Sequence, residues 1–394
     1  MSKEKLLILN GGHSETPLIL AAKKLGFHVI TTGNIPTLIG HQYADEYYPA
    51  DFSDKHEILK LSQKLGIDAV CSSANDFGTI TAAYISEQIG LAGHDTYETS
   101  LLIHHKDRFK EFAIKNKIQT PFAESYDDRV VAKSAINKYQ YPVIVKPIDL
   151  TGGKGITKVT DSADYCKAID KAFDISREKR IVVEEFFEGS QHSFSTFIIN
   201  QKVAFCFSDN EYSYLNPYLV STSAAPAVNI HKFEDKLIQS AEKTASLLKL
   251  TDGILHMQYL ARENRFTIIE MTRRCSGDLY PYPVEYSSSI DWAAWIVKAE
   301  AGQSCTNFPK KEQTGYCGRH CIMSNRNGVI DDVIINDGLK ANIYQDLMWW
   351  KPGDIVKDYM TEKLGILLLR YSSMEEMIEK TADITNLVRV SIKD

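Results

Sequence analysis

The segment Pro142-Val-Ile-Val-Lys146-Pro147, followed by Thr151-Gly-Gly-Lys-Gly155, is the most informative stretch of this sequence. The apolar run predicts a buried strand that places the Lys146 ammonium at its end. Glycine has no Cβ, so backbone N–H groups of the following loop can approach phosphate oxygens closely, and two lysines supply positive charge. The loop is not a Walker A motif, because G-x-x-x-x-G-K-[ST] is absent. The stretch predicts a phosphate site, with a glycine-rich hairpin and an exposed lysine as the alternative.

A second apolar run, Ile181-Val-Val, leads into Glu184-Glu185-Phe186-Phe187. Carboxylates and aromatic rings at a strand end suit the polar edge and the wall of an adenine pocket, which is apolar overall with a few placed polar groups. An amphipathic strand end with solvated glutamates is the alternative.

A third run, Phe266-Thr-Ile-Ile, delivers Glu270 at its end, and Arg273 and Arg274 follow closely. Gln258 lies twelve residues before Glu270, where a hairpin would bring the two side chains opposite each other. Mg²⁺ prefers carboxylate and phosphate oxygens, and arginine binds phosphoryl groups. The run therefore predicts a magnesium and phosphate site, and a solvated loop of mixed charge is the alternative.

The first hundred residues alternate strand-like apolar runs with helix-like segments. The apolar runs are Leu6–Leu9, Phe27–Thr31 and Asp68–Ser72. This alternation predicts a parallel sheet with helices on both faces, and ligands bind beyond the carboxyl ends of such strands. The candidate substrate contacts at these ends are Gly12, His13, Asn75 and Asp76. The capping of tight turns is the alternative role for these residues.

The composition limits the class of protein. The chain has 394 residues, which at about 150 residues per domain predicts two or three domains. Hydrophobic residues make up 44%, and the net charge of −6 without a basic stripe disfavours nucleic acid as a partner. Seven scattered cysteines are typical of reduced thiols, and Cys317-Gly-Arg-His320-Cys321 lacks the paired spacing of a zinc site. No run reaches the roughly 18 apolar residues of a membrane helix, so we expect a cytoplasmic protein.

Taken in order, these features resemble the ATP-grasp superfamily, which includes biotin carboxylase, carbamoyl-phosphate synthetase, D-alanine–D-alanine ligase and L-amino acid ligase. The match begins at Lys106 and continues through Lys146, Glu184–Phe187 and Glu270. It implies an α/β fold: an N-terminal doubly wound parallel sheet, an α+β lid, a central antiparallel sheet and a strand-rich C-terminal portion. The expected boundaries are 1–105 for the N-terminal domain, 106–187 for the lid, 188–310 for the central subdomain and 311–394 for the C-terminal portion that completes it.

The resemblance also implies how ATP would be bound. Lys106 and Lys146 should contact the phosphates. The mobile loop that should close over them consists of Gly152, Gly153, Lys154 and Gly155. Glu184 should accept a hydrogen bond from the adenine amino group. The backbone contacts and the apolar wall should come from Glu185, Phe186 and Phe187. Gln191 or His192 falls where relatives place a residue that contacts ribose or phosphate.

For catalysis, the resemblance implies a metal and an arginine. Glu270 should bind Mg²⁺, with Mn²⁺ as an alternative, and Arg274 should stabilise an acyl phosphate and its tetrahedral successor. The expected catalytic residues are Arg274, Lys146 and Arg273. Relatives usually have a carboxylate where this chain has Gln258 and asparagine where it has Thr272. Both residues are neutral oxygen donors, so we expect Gln258, Glu270 and Thr272 to hold one magnesium, and a second to bind more weakly.

The function that the resemblance implies is that of an ATP-dependent carboxylate–amine (or carboxylate–thiol) ligase. A small carboxylic or amino acid would attack the γ-phosphate to give ADP and an acyl phosphate, from which the nucleophile displaces phosphate. One alternative is a bicarbonate-activating, carboxylase-like enzyme. Another is a catalytically weak, nucleotide-binding regulatory subunit, because Gln258 and Thr272 carry no charge. The expected partners are small-molecule carboxylates and amines, without nucleic acid or membrane, and a homodimer is the state that relatives commonly show.

Overall fold

The computed structural model describes residues 3–150 and 153–393, so Thr151 and Gly152 of the predicted phosphate loop lie outside the described residues. The N-terminal part holds a parallel sheet with strand order β3-β2-β1-β4. Its strands are β1 (Lys5–Leu9), β2 (His28–Gly33), β3 (Glu46–Pro49) and β4 (Ala69–Cys71). The helices of this part are α1 (Thr16–Lys24), α2 (Lys55–Leu65), α3 (Asp76–Ile89), α4 (Tyr97–His104) and α5 (Lys106–Lys115).

Both faces of this sheet are covered because β1 is apolar almost throughout. Leu6 and Ile8 enter a core that includes α1, whereas the leucines that alternate with them enter a second core with α2 and α3. Local chemistry sets the helix ends. The Asp54 carboxylate accepts hydrogen bonds from the first turn of α2, and Gly66, at φ +59°, ends that helix. The predicted doubly wound parallel sheet is confirmed.

The second part is a small antiparallel sheet with strand order β5-β8-β6-β7, which carries the predicted Lys146 strand. Its strands and helices are β5 (Ala123–Tyr126), α6 (Arg129–Ser134), β6 (Val143–Pro147), β7 (Thr157–Val159), α7 (Tyr165–Ile175) and β8 (Ile181–Glu185). Val143 and Val145 on β6 face Ile169 on α7 in one buried core. Because alternate residues of a strand face opposite sides, this packing directs the Lys146 side chain away from that core.

The third part is an antiparallel sheet with strand order β13-β12-β9-β10-β11-β14-β18-β16. Its elements up to residue 300 are β9 (Ser190–Ile199), β10 (Lys202–Tyr212), β11 (Thr222–Ala225), α8 (Glu234–Leu248), β12 (Gly253–Arg262), β13 (Arg265–Thr272), α9 (Pro281–Ser288) and α10 (Trp292–Glu300). β9 and β10 form a hairpin around Asn200 and Gln201, and both residues have positive φ angles, +49° and +65°. Such angles suit the tight turn of a hairpin.

The C-terminal elements extend this sheet and add a small sheet with order β17-β15-β19. They are β14 (Tyr316–Ile322), β15 (Gly328–Ile335), α11 (Asp337–Lys340), β16 (Ile343–Met348), β17 (Ile355–Val356), β18 (Gly365–Tyr371), α12 (Met374–Ala382), α13 (Ile384–Leu387) and β19 (Val388–Ile392). The strand-rich C-terminal portion is confirmed, whereas the exact domain boundaries stay a prediction. No helix in the described residues is long and apolar enough to cross a bilayer.

Several buried histidines make the fold sensitive to acid. Burial lowers the pKa of His105, His192 and His320 to about 4 and that of His256 to about 3. In the unfolded chain, the pKa of histidine is about 6.5. The unfolded state therefore binds more protons between these values, and the free energy of unfolding falls as the pH drops from about 6.5 towards 4.

A single substitution tests this titration. In His320→Gln the titrating ring is lost, while a polar group remains for Thr222, whose Oγ1 lies 2.7 Å from the His320 Nδ1. We expect the loss of stability between about pH 7.5 and pH 5.5 to be smaller in the variant by about 1 kcal/mol. Urea unfolding at both pH values measures this difference. Equal losses in the variant and the wild type would contradict the assignment.

Candidate active site

A cleft of about 370 Å³ lies where the N-terminal part, the small sheet and the central sheet meet. Its walls include ends of α3, α5 and β6 and the inner face of the central sheet. The residues predicted from sequence that line it are Asn75, Asp76, Lys106, Lys146, Gly153, Gln191, Gln258, Glu270, Thr272 and Arg274. With Ser14 and Lys363 also in its lining, the cavity brings together segments from almost the whole length of the chain.

Two lysines form one end of the cleft. Lys106 is the first residue of α5, and its Nζ donates to the Leu150 carbonyl at 2.8 Å. Lys146 lies near the end of β6, and its Nζ is 2.6 Å from the Glu184 Oε1. Lys106 thus has no carboxylate partner among the described ion pairs, which leaves a positive charge at this end for an anion.

The glycine loop begins beside these lysines. Gly153 and Gly155 have φ angles of +73° and +77°, a region that favours glycine. A Cβ at Gly153 would overlap the Tyr218 carbonyl, so the loop approaches the connection between β10 and β11 more closely than another residue would allow. Lys154 is exposed and does not line the cleft.

Glu184, the predicted adenine contact, lies between two lysines. Its Oε1 is 2.6 Å from the Lys146 Nζ, and its Oε2 is 3.2 Å from the Nζ of Lys110, a residue that sequence reasoning did not single out. Burial would raise the pKa of Glu184, but the two ammonium groups hold it below its ordinary value. In turn, burial lowers the pKa of Lys110 to about 8. Glu184 therefore acts as the counter-ion of the two lysines, and because its buried Oε2 has no hydrogen-bond partner among the described residues, its contact with adenine stays a prediction.

The residues that follow Glu184 contact other parts of the fold through their backbone and their rings. The backbone N–H groups of Glu185 and Phe186 donate to the carbonyls of Phe122 and Pro142, at 2.9 and 3.3 Å. The Phe186 ring faces the Lys158 ammonium, 3.7 Å from its centroid. Phe187 faces the Arg265 guanidinium at 5.8 Å. The adenine wall therefore stays a prediction, with both of these backbone donors engaged within the fold.

The choice between Gln191 and His192 is settled by the pleat of β9. Adjacent strand residues face opposite sides. Gln191 lines the cleft, whereas His192 is buried against Tyr259, with ring centroids 5.1 Å apart, and its Nε2 is 2.6 Å from the Ser190 Oγ. Only Gln191 can therefore contact a ligand in the cleft.

The predicted metal ligands meet on the β12–β13 hairpin. Gln258 pairs with Glu270 across these strands, as the sequence predicted. Thr272 follows on the same strand, and within the described chain its buried Oγ1 has no hydrogen-bond partner. Carboxylate, amide and hydroxyl oxygens are ligands that suit Mg²⁺. The described residues contain no cluster of three His, Cys, Asp or Glu side chains that could hold a metal alone, so this donor set suits a magnesium shared with phosphate oxygens.

A carboxylate that sequence reasoning missed completes this wall. Glu211 on β10 lines the cleft, and its Oε2 accepts hydrogen bonds from the Nε2 atoms of Gln191 and Gln258, both at 2.8 Å. Burial, together with the neighbouring Asp209, raises the pKa of Glu211 to about 7. The sequence signal that could have revealed Glu211 is a carboxylate inside a strand-like segment, Ser208-Asp-Asn-Glu211.

Arg274 enters the cleft, whereas Arg273 does not. The Arg274 Nε donates to the Asp76 Oδ1 at 2.8 Å, and His104 contacts the same oxygen at 2.9 Å. Burial opposes ionisation of Asp76, yet Arg274 and His104 hold its pKa below its ordinary value. Asp76 therefore anchors Arg274.

The prediction that Arg273 is catalytic is corrected by its surroundings. Its Nε donates to the Asp95 Oδ2 at 2.7 Å, and its Nη2 donates to the Thr251 carbonyl at 2.8 Å. The Ile254 carbonyl accepts from its Nη1. Arg273 therefore ties the segment before α4 to the start of β12, and it does not line the cleft.

A second charged cluster borders the cleft near Arg274. Asp278 Oδ2 lies 2.6 Å from the Lys363 Nζ and 3.1 Å from the Arg319 Nη1. The His13 Nε2 contacts the other Asp278 oxygen at 3.3 Å, and its ring stacks on Trp349. The predicted substrate residue His13 thus reaches the cleft through Asp278. Arg319 lies in the cysteine-flanked segment that was considered for zinc, which was the only sequence signal for this cluster.

The remaining predicted contacts serve local structure. The Gly12 N–H donates to the Glu15 Oε2 at 2.8 Å and does not line the cleft. Asn75 lines the cleft but also caps α3, because its Oδ1 accepts from the Gly78 N–H at 3.1 Å. Turn capping, the alternative that the sequence left open, therefore accounts for Gly12, whereas a substrate contact of Asn75 stays a prediction.

The chain combines a doubly wound sheet, a small lid sheet and a central antiparallel sheet. The cleft between them holds two lysines and a hairpin that carries a carboxylate. This combination is typical of one class of protein. By sequence, the part of the chain around the two lysines is similar to an ATP-grasp domain, and the whole chain has the fold of solved ligase and carboxylase structures. The family model described as phosphoribosylglycinamide synthetase, ATP-grasp (A) domain, matches residues 104–216, the stretch that contains Lys106, Lys146 and Glu211.

Three known proteins illustrate the similarity. The chain is 24% identical over 300 residues to the phosphoribosylamine–glycine ligase of Pyrococcus furiosus; the match covers 68% of this chain and 66% of that ligase, slightly less than two thirds of its length. The L-amino acid ligase of Bacillus licheniformis superposes with a TM-score of 0.84 at 17% identity, over 100% of both chains. The biotin carboxylase domain of the Hydrogenobacter thermophilus 2-oxoglutarate carboxylase, in complex with MgADP and bicarbonate, gives 0.77 at 18% identity over 99% of this chain and 91% of that one. At these identities the structural likeness shows the fold.

Proposed function

We propose that this protein is an ATP-dependent carboxylate–amine ligase that activates a small carboxylic or amino acid as an acyl phosphate and releases ADP and phosphate. The observation that carries the proposal is that one cleft holds three chemical groups together. These are two lysines for phosphates, a hairpin of oxygen ligands, and a set of cations for an acid. The names of relatives, a phosphoribosylamine–glycine ligase and an L-amino acid ligase, agree with ligation of a carboxylate to an amine.

The nucleotide end is formed by Lys106, Lys146 and the loop at Gly153. Lys146 is held by Glu184, so its ammonium is already in place before an anion arrives. Phosphoryl transfer depends on positioning and on neutralising charge more than on covalent chemistry by the protein. The chain therefore needs no nucleophilic side chain of its own.

Magnesium would be held by Glu270, Gln258 and Thr272 together with phosphate oxygens. Bound there, the metal would supply positive charge next to the transferred phosphoryl group. Glu270 is the only one of the three that carries charge, so it should supply most of the protein's attraction for the metal. Glu270 has no ion-pair partner among the described residues, which leaves its carboxylate free for a cation.

The acid end is formed by Arg274, with Arg319 and Lys363 close by. Each of these cations is held by a carboxylate, Asp76 or Asp278, and so is oriented within the cleft. An arginine fork suits the planar carboxylate of a substrate and the oxyanion that forms when the amine attacks. We infer that the acid lies between the phosphate site and this cluster.

A trapping experiment tests the proposed function. Purified protein is incubated with Mg-ATP and a panel of amino acids, other small carboxylates and bicarbonate, with hydroxylamine present. We expect at least one acid to give ADP release and a hydroxamate, because hydroxylamine intercepts an acyl phosphate. Bicarbonate as the only active acid would favour the carboxylase-like alternative. Nucleotide binding without product from any acid would favour the regulatory alternative.

A matched pair of arginine variants tests the acid end. Arg274→Lys keeps a charge beside Asp76 but loses the planar fork, so we expect turnover to fall by about 100-fold with an unchanged melting temperature. Arg273→Lys breaks bonds to two backbone carbonyls outside the cleft, so we expect a lower melting temperature and turnover within about 3-fold of the wild type. ADP release and thermal unfolding measure both effects. The reverse pattern would contradict the placement of the two residues.

A further inference from the structure

Glu211 is a buried carboxylate of the cleft to which the proposed function gives no role. Glu211 is 7% exposed, and its Oε2 accepts hydrogen bonds from the side chains of Gln191 and Gln258. Neither glutamine donates its Nε2 to any other described group. A charged acceptor that binds two amides on the inner face of a binding cleft holds both of them in one orientation.

The strand register places these side chains in two neighbouring rows on one face of the sheet, and Gln258 reaches Glu211 diagonally across β9. Glu211 on β10 pairs with Gln191 on β9. Gln258 lies on β12, the next strand, and pairs with Glu270 on β13. Gln258 therefore sits between two carboxylates: Glu211, which it contacts, and Glu270, the predicted metal ligand.

The chemistry of an amide explains why the orientation of Gln258 between these carboxylates matters. A side-chain amide has a donor end and an acceptor end, whereas an ionised carboxylate only accepts. Each amide therefore turns its NH₂ group towards Glu211, so its Oε1 points away from Glu211. Without Glu211, the NH₂ group of Gln258 would be attracted to Glu270, and that contact would occupy the metal carboxylate and remove the amide oxygen from the metal.

We propose that Glu211 is a positioning residue for the magnesium site: by holding the Nε2 of Gln258, it presents the Gln258 Oε1 and leaves the Glu270 carboxylate free for the metal. The inference rests on the proposed function, because it concerns the magnesium that accompanies the nucleotide there. The contact with Glu211 explains how Gln258, a neutral side chain, can act as a metal ligand beside Glu270, the only charged ligand of the three. Glu211 also holds the Nε2 of Gln191, so the Gln191 Oε1 points away from Glu211 and can accept a hydrogen bond from a nucleotide hydroxyl.

Nucleotide binding with and without metal tests this role apart from turnover. The full chain is titrated with ADP by calorimetry at about pH 8, where carboxylates are ionised, in the presence and absence of Mg²⁺. We expect Mg²⁺ to tighten ADP binding to the wild type. In Glu211→Gln this gain should fall by about 10-fold or more, because partners that orient metal ligands typically contribute 10- to 100-fold in metal affinity. ADP affinity without metal should stay within about 3-fold, and Mn²⁺ affinity measured by electron paramagnetic resonance should fall with the gain.

Three further variants separate orientation from charge and from folding. Glu211→Asp keeps the charge but is too short to reach both amides, so it should also lose much of the gain. Asp209→Asn removes a neighbouring carboxylate that does not contact Gln258, so it should keep the gain. The exchange Glu211→Gln with Gln258→Glu places the carboxylate at the metal and the amide behind it. This double variant should recover the gain to within about 3-fold of the wild type.

The outcomes are distinct. An unchanged magnesium gain in both Glu211→Gln and Glu211→Asp overturns the inference, as does a loss that the double variant does not recover. An equal loss in Asp209→Asn also overturns it, since the effect would then come from charge alone. A wild type that binds ADP equally with and without metal overturns the magnesium site of the proposed function itself, which is a separate result.

Discussion

Replacement of Lys146 by alanine is expected to lower the affinity for ATP and ADP by at least about 100-fold, equivalent to about 2.7 kcal/mol. Lys146 is a buried cation at a strand end in the cleft, and its position is set by a 2.6 Å contact with Glu184. The fold should persist, because Glu184 keeps a second ammonium group, that of Lys110, 3.2 Å away. Calorimetric titration with nucleotide measures the affinity, and thermal unfolding confirms that the variant is folded.

Two companion variants make this result interpretable. Lys146→Gln retains a donor for Glu184 but no positive charge, so it should lose nearly as much affinity as the alanine variant. Lys133→Ala removes a lysine of the same small sheet region that pairs with Asp170 at 2.7 Å and does not line the cleft. It should bind nucleotide as the wild type does. Unchanged affinity in both Lys146 variants would remove the phosphate role of this strand.

Replacement of Glu270 by glutamine is expected to reduce magnesium-dependent turnover by about 100- to 1,000-fold, or about 3 to 4 kcal/mol in the barrier. The three predicted ligands would then all be neutral, so the metal would lose its only charged ligand from the protein. Gln258 and Thr272 keep their places because the hairpin register depends on backbone pairing, not on this side chain. The measurement is the rate of ADP release as a function of Mg²⁺ concentration.

A control variant lies on the same hairpin. Glu263 is exposed in the turn between β12 and β13, so Glu263→Gln removes the same charge from the same element without touching the cleft. It should keep the wild-type rate. A wild-type rate in Glu270→Gln, or an equal loss in Glu263→Gln, would contradict the assigned role of Glu270.

The parts of the site that sequence reasoning predicted are those that follow from local periodicity. Lys146 at the end of an apolar run and Glu270 opposite Gln258 depend only on the alternation of a strand and the pairing of a hairpin. The fold class follows in the same way from apolar strands that alternate with helices. These features are encoded over ten to twenty residues, so one sequence suffices to predict them.

The errors arose where a side chain had two directions available. Arg273 and Arg274 are adjacent and chemically identical, and only their packing shows that Asp95 holds one behind the cleft while Asp76 holds the other inside it. Glu184 carries the motif of an adenine contact, and only the folded structure shows that lysines from two different elements also pair with it. A motif specifies the residue type, whereas the neighbours brought by folding specify its partner.

The sequence by itself determined the class of fold and the strand ends that carry Lys146 and Glu270. Only the tertiary structure brought Asp278, Arg319 and Lys363 together and placed Glu211 behind Gln258. The physical reason is the range of the interactions. Hydrophobic periodicity is a local property of the chain, whereas a buried charge is stabilised by partners that are distant in sequence and become neighbours only when the sheets assemble.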